Sequence, residues 1–286
     1  MSIAGGLDRA PLRGRQVGCD TIQVFTKNNR QWRAKRLSDR EVEAFRANLA
    51  AAGIGPVVAH DCYLVNLAAA RPSLWKKSVA AFREEMDRAG RLGIPYLVTH
   101  PGAHAGAGEA EGIRRVGEAL NVLHAALPRH GGVQILLENT AGQGSSLGYR
   151  FEQLAAILDR VVRADRVGIC LDTCHVFAAG YDIRTTDGYR KTMRELDACL
   201  GLHRLKAIHL NDSLQGVGSR VDRHAHIGDG RLGLEPFRCL LNDPALRGIP
   251  MILETPKDDD FVKADRRNLA RLRRLLNRAA FRGGAP

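Results

Sequence analysis

Three observations predict an α/β fold, a TIM-type (β/α)8 barrel: the length of the chain, an alternation of strand and helix patterns, and the placement of its ligand-type side chains. The chain has 286 residues, and barrels of this type take about 250. Short apolar runs alternate with stretches of helical period, so their connections are long enough for parallel strands. A His, Asp or Glu stands near the end of almost every run, and in such a barrel those ends meet on one face.

The runs in order are 21–26 (TIQVFT), 56–60 (PVVAH), 96–100 (YLVTH), 133–139 (VQILLEN), 167–173 (VGICLDT), 205–212 (LKAIHLND) and 250–255 (PMILET). Apolar runs of this length with little alternation read as strands buried on both faces. Between them, Ser38 and Glu41 make a capping box ahead of Val42, Phe45 and Leu49. Trp75, Val79, Phe82 and Met86 form one face of the next helix, and Ile113, Val116, Leu120, Leu123 and Leu127 form another. The last helix sets Leu269, Leu272 and Leu276 against Arg266, Arg267, Arg271, Arg273, Arg274 and Arg278, and reads as the solvated outer face of a barrel helix rather than a DNA-binding surface. No linker or low-complexity tract interrupts the pattern, so residues 1–286 are expected to form a single barrel domain.

The charge balance points to a polyanion. Forty-three Lys and Arg against 31 Asp and Glu give a formal +12 and a pI near 9.9. Nucleic acid is the natural partner, because no basic amphipathic anchor stands alone. The opening MSIAGGLDRAPLRGRQ carries no signal-peptide core, and no apolar run reaches the roughly 18 residues of a membrane span. A cytoplasmic, membrane-free monomer is expected. Cys19, Cys62, Cys170, Cys174, Cys199 and Cys239 contain no CxxC pair and read as reduced thiols.

The side chains at the strand ends are His60, His100, Glu138, Asp172 with His175, His209 and Glu254, and the loop after His209 adds Asp222 and His224. Any one alone reads as a hydrogen-bonded loop residue or a salt-bridged core carboxylate. Together they gather so many carboxylates and imidazoles that cations are needed to hold them. They exceed the four or so ligands of one zinc and suit a cluster bridged by a carboxylate such as Glu138. Mixed imidazole and carboxylate donors favour zinc or manganese over magnesium. On a basic protein such a centre suggests phosphodiester hydrolysis. The glycines of 142–148 miss the GxGxxG spacing, and neither a GxSxG elbow nor a Walker loop is present.

The segments HDCYLVNL (60–67), GICLDTCH (168–175) and IHLNDSLQGVGSRVDRH (208–224) closely resemble the signatures of the endonuclease IV family of abasic-site endonucleases. FTKNNRQW (25–32), ENTAGQGSSLG (138–148) and ILET (252–255) fit the same family. The resemblance implies a trinuclear zinc centre, with His60, His100 and Glu138 at the first ion. Glu138 would bridge to a second held by Asp172, His209 and Glu254, and His175, Asp222 and His224 would hold the third. It implies cleavage 5′ to an abasic site in double-stranded DNA, leaving a 3′-hydroxyl and a 5′-deoxyribose phosphate. Glu254 is expected to orient or deprotonate the nucleophile, with Glu138 as the alternative. Arg30 and Tyr63 fall where the family wedges side chains into the gap left by the flipped nucleotide, and both suit stacking on exposed bases.

Cys62 and Leu214 depart from the family motifs, where Ser and a basic residue are usual. Family members also open on a strand ending in His-Val-Ser, and here Met1-Ser2-Ile3 leads straight into Ala4-Gly5-Gly6-Leu7. The expectation is a barrel that lacks its first strand, with a gap between the strands near Thr21 and Glu254. Two rival functions share parts of the pattern: a metal-dependent sugar isomerase or epimerase of the xylose-isomerase-like barrels, and a DNA-damage-binding protein without catalysis.

Overall fold

Each apolar run becomes a short strand, and each amphipathic stretch a helix packed outside it. The computed structural model describes residues 1–126 and 132–277. It begins with α1 (Arg9–Val17), β1 (Gln23–Phe25), α2 (Asp39–Ala52), β2 (Val58–His60), α3 (Pro72–Leu92) and β3 (Tyr96–Thr99). Next come α4 (Glu109–Ala126), β4 (Gln134–Glu138), α5 (Phe151–Leu158), β5 (Val167–Asp172), α6 (Thr173–Ala179) and α7 (Thr186–Leu200). The chain continues through β6 (Leu205–His209), β7 (Asp212–Ser213), β8 (His224–Ala225), α8 (Glu235–Asn242), β9 (Met251–Ile252) and α9 (Phe261–Leu275).

One seven-stranded sheet runs in the order β1-β2-β3-β4-β5-β6-β9, parallel throughout. Its two faces are both covered, which is why the strands lack polar alternation. The large outer core packs Leu97, Ile135, Leu137 and Ile169 against helix residues such as Phe82 and Val116. A second, small cluster comprises Val58, Val98, Leu136, Cys170, Ala207 and Ile252, from β2, β3, β4, β5, β6 and β9 respectively. Side chains alternate along a strand, so this cluster fills the barrel lumen. Two residues beyond each of its members stands His60, His100, Glu138, Asp172, His209 or Glu254. An apolar floor with a polar layer directly above it is therefore built into the period of two.

The capping box forms as expected, with Ser38 accepting from the Glu41 N–H and Glu41 accepting from the Ser38 N–H. Val79, Phe82 and Met86 are buried in α3 and Ile113, Val116, Leu120 and Leu123 in α4, whereas Leu127 and Arg278 lie outside the described residues. On α9, Arg271 binds the Ile227 carbonyl and Asp229, Arg266 the Gln16 carbonyl and Arg273 the Gly18 carbonyl. These arginines tie the last helix to its neighbours, in keeping with an outer barrel face.

The run 205–212 is not one strand. The sheet ends at His209, and Asp212 begins a two-stranded hairpin in which β7 pairs antiparallel with β8. The cause is the Asp212 carboxylate, which turns inward to accept N–H groups from Ser213 and Leu232 on Oδ1 (2.7 and 2.9 Å) and from Gly228 and Gly230 on Oδ2 (2.9 and 3.0 Å). A Cβ on Gly230 would lie 2.4 Å from Oδ1, so glycine is required for that approach. Asp212→Ala leaves four N–H donors short of an acceptor, two of them buried and two part-buried, and is expected to cost roughly 3 kcal/mol or more, lowering the melting temperature by ~5–10 °C. A thermal melt shifted by less than ~2 °C would show that the carboxylate is not what holds this hairpin.

Among the described residues β1 and β9 do not pair with each other, so the sheet keeps a seam. The Met1 amino group donates to the Gln23 carbonyl there, and a cavity of about 90 Å³ lined by Met1, Ile22, Met251 and Leu269 lies along it. Burial together with nearby Lys257 lowers the Met1 amino group to a pKa of about 6.

Candidate metal centre

The polar layer above the floor converges as the strand ends require. Glu138, at the end of β4 and fully buried, is its hub. One oxygen, Oε2, faces His60 Nε2 at 3.2 Å and His100 Nε2 at 3.3 Å. The other, Oε1, faces His209 Nδ1 at 3.1 Å and His175 Nδ1 at 3.2 Å. His209 Nδ1 also lies 3.2 Å from Glu254 Oε2 and 3.8 Å from Asp172 Oδ2.

Asp172 is the N-cap of α6 and accepts the His175 N–H through Oδ1 at 2.8 Å. Capping fixes the spacing of the DTCH segment: the cap residue and the third helical residue face each other. His175 Nε2 and His224 Nε2 in turn lie 3.2 Å from the two oxygens of Asp222. His224 sits on β8 and Asp222 just before it, so the hairpin delivers this third group.

Three donor sets therefore form, each with its ligand atoms within 4.8 Å of one another: His60, His100 and Glu138; Glu138, Asp172, His209 and Glu254; His175, Asp222 and His224. All the ligand candidates read from the sequence are brought together. Cys170 and Cys174 also fall near these donors, but both thiols are pushed up by burial, to about 11 and about 12, and stay protonated.

Two features fit these sets to cations. The first is a mismatch of distance and direction: the buried Nε2 atoms of His175 and His224 have no hydrogen-bond partner, although each is within 3.2 Å of an Asp222 oxygen. The distance suits a hydrogen bond but the direction does not, which leaves both nitrogens without a partner of their own. The second is the far side of the rings. His60 Nδ1 donates to the Asp61 carbonyl (2.9 Å), His175 Nδ1 to the Asn139 carbonyl (2.9 Å) and His224 Nδ1 to the Glu254 carbonyl (3.2 Å). A ring that gives its proton to an oxygen on one side presents a bare nitrogen on the other, as metal-binding histidines do.

Without cations, the imidazoles and carboxylates neutralise one another. Burial opposes charge on His60, His175 and His209, but the carboxylates beside them prevail and hold all three well above their ordinary pKa of 6.5. Burial likewise works against ionised Glu138 and Asp222, yet the facing imidazoles keep both well below the usual carboxylate range.

Several supporting residues carry no signal of their own in the sequence. Asn211, fully buried, donates through Nδ2 to Asp172 Oδ2 (2.6 Å) and accepts the Glu254 N–H (2.9 Å). Thr99 donates to Asp61 Oδ2, which steadies the residue after His60. Gln143 accepts the Asp222 N–H. Of these only Asn211 was within reach of a sequence reading, as the middle of the His-Leu-Asn-Asp segment.

The mouth of the barrel is open. Tyr63 is 63% exposed and stands with its ring centroid 6.4 Å from that of His60. Arg30, exposed on the loop after β1, has no ion pair among the described residues. A cleft of about 640 Å³ runs from Glu254 past Asn29 and Tyr63. Leu214 is half exposed on the β7–β8 loop, and Cys62 is buried and remote from ligand duty.

The sequence model of the xylose isomerase-like TIM barrel family matches residues 13–278. A probable endonuclease 4 of Geobacter sulfurreducens is 57% identical over 97% of this chain and 93% of its own length. The crystal structure of endonuclease IV from Thermus thermophilus superposes with a TM-score of 0.83 at 39% identity, covering 96% of each chain. D-psicose 3-epimerase from Clostridium cellulolyticum gives a TM-score of 0.69 at 14% identity, a likeness of fold alone. With the donor sets in place and relatives this similar across nearly its whole length, the chain belongs to the endonuclease IV family.

Proposed function

We propose that this enzyme hydrolyses the phosphodiester 5′ to an abasic site in double-stranded DNA with three zinc ions, leaving a 3′-hydroxyl and a 5′-deoxyribose phosphate. The observation that carries the reading is the division of the strand-end donors into three adjacent sets hinged on Glu138 and Asp172. When bound, divalent zinc supplies Lewis-acid activation of water and neutralises charge on the phosphate.

The chain's own residues do the rest. Glu254 lies at the edge of the cleft, a quarter exposed, while Glu138 is enclosed by four rings. That makes Glu254 the group able to meet a water and a phosphate together, orienting the nucleophile and taking its proton. Tyr63 and Arg30 offer an aromatic ring and a planar cation at the mouth, suited to stacking where a nucleotide has left the helix.

The test is a fluorescent duplex bearing one abasic analogue, beside the same duplex intact. The zinc-loaded protein is expected to nick the first and spare the second, with binding that weakens steeply as salt rises. Arg30→Ala and Tyr63→Ala are expected to lower selectivity for abasic DNA by ~10-fold, within the ~1–3 kcal/mol of a stacked base, and to leave the salt slope nearly unchanged. Equal losses on both duplexes would reduce the two residues to general contacts, and absence of nicking would overturn the reading.

A further inference from the structure

We infer that Gln23 is a positioning residue for the second metal set, its side-chain amide choosing which nitrogen of His209 and which oxygen of Glu254 face the metal. The inference rests on the metal centre proposed above and goes beyond it to a residue outside the ligand set.

The floor of the lumen is apolar on β2–β6 and β9. Register pairs Gln23 with Val58, so Gln23 occupies the equivalent place on β1. A buried primary amide in that layer is costly unless both ends are satisfied. It reaches upward instead: Nε2 donates to Glu254 Oε1 at 2.5 Å, and Oε1 lies 2.8 Å from His209 Nε2.

The orientation of the amide follows from chemistry. A carboxylate oxygen only accepts, so the NH2 end of Gln23 must face Glu254. The carbonyl end then faces His209, and an acceptor there requires the ring proton on Nε2. Nδ1 is left bare, and Nδ1 is the atom near Glu138 and Glu254 Oε2. On the other side, occupation of Glu254 Oε1 leaves Oε2 turned into the set. His60, His175 and His224 give their far protons to main-chain carbonyls. His209 gives its proton to a side chain, and that makes the device open to mutation.

The experiment compares wild type with Gln23→Met and Gln23→Glu. Methionine keeps the volume and matches the apolar floor, so it folds; glutamate keeps an acceptor for His209 but repels Glu254. Gln23→Met is expected to raise the dissociation constant of the weakest-held zinc by ~10-fold or more in chelator competition, the usual effect of losing a partner behind a ligand. In proton–nitrogen NMR of the zinc-loaded protein, the His209 Nε2–H signal is expected in wild type and Gln23→Glu and absent in Gln23→Met. Zinc retention within ~2-fold of wild type in Gln23→Met overturns the inference, against the ~10-fold expected. Loss of the Nε2–H signal in Gln23→Glu overturns it as well. A wild-type protein that holds no zinc would instead overturn the metal centre itself.

Discussion

Stripping the metals is expected to abolish nicking while the protein remains folded, and zinc alone is expected to restore it. Elemental analysis of active protein should find about three ions per chain, because zinc takes about four ligands and the donors fall into three adjoining sets. One ion or none in fully active protein would sink that arrangement.

The metal-free form carries a pH signature of its own, since its imidazoles and carboxylates must then neutralise one another. Although burial disfavours their charge, the carboxylates beside the imidazoles lift His60, His175 and His209 well above 6.5, and Asp172 and Asp222 lift His224 to about 9. A raised imidazole pKa contributes stability that is complete below 6.5 and is lost as pH climbs through the raised value. Glu138 and Glu254 are shifted downward, so their share is present above the ordinary 4.5 and is lost only as pH falls toward their lowered values.

The metal-free protein is therefore expected to melt highest between 4.5 and 6.5 and to weaken toward about 9. Zinc requires unprotonated rings, so its stabilisation grows over the same interval. Melting temperatures of the two forms at the ends of that interval should diverge as pH rises. Parallel curves would show that the rings do not pair with the carboxylates as described.

Glu254→Gln is the second large effect expected. The amide keeps the volume but removes the charge and the ability to take a proton, so nicking should fall by at least ~100-fold. Burial works against ionisation of Glu254, but His209 and His60 hold its carboxyl well below the usual range, leaving it charged at neutral pH. Binding to abasic DNA should largely survive, because the contacts at the mouth are intact. Since Glu254 also belongs to the second donor set, zinc content must be measured alongside the rate. A fall in rate with zinc retained supports the role in moving the proton; loss of zinc in step with rate assigns Glu254 to holding metal alone. A variant that cuts as fast as wild type removes it from both roles.

Much of this architecture was legible beforehand. The seven runs between Thr21 and Thr255 matched the seven strands of the barrel, because burial on both faces leaves a continuous apolar signal in a parallel strand. The boundary after His209 was missed: Leu210 continues the apolar pattern, while the turn is made by Asp212 binding N–H groups up to 20 residues ahead. The seam beside β1 was anticipated by counting strands, and the structure places β1 and β9 on either side of it without pairing.

The candidate donors were readable because their chemistry is written in residue type and their convergence in strand period; a side chain two residues past a floor position faces the same lumen. What the sequence could not say unaided is which nitrogen each ring offers and what holds it. His209 and Gln23 are 186 positions apart, and Gln23 and Glu254 are 231 apart. Nothing local marks Gln23 as special, since a polar residue in a short strand is ordinary. Only curling the sheet until β1 stands near β6 and β9 brings its amide between two candidate donors. Donor identity is thus a property of the chain, while donor orientation is a property of the folded lumen, where hydrogen-bond partners come from distant strands.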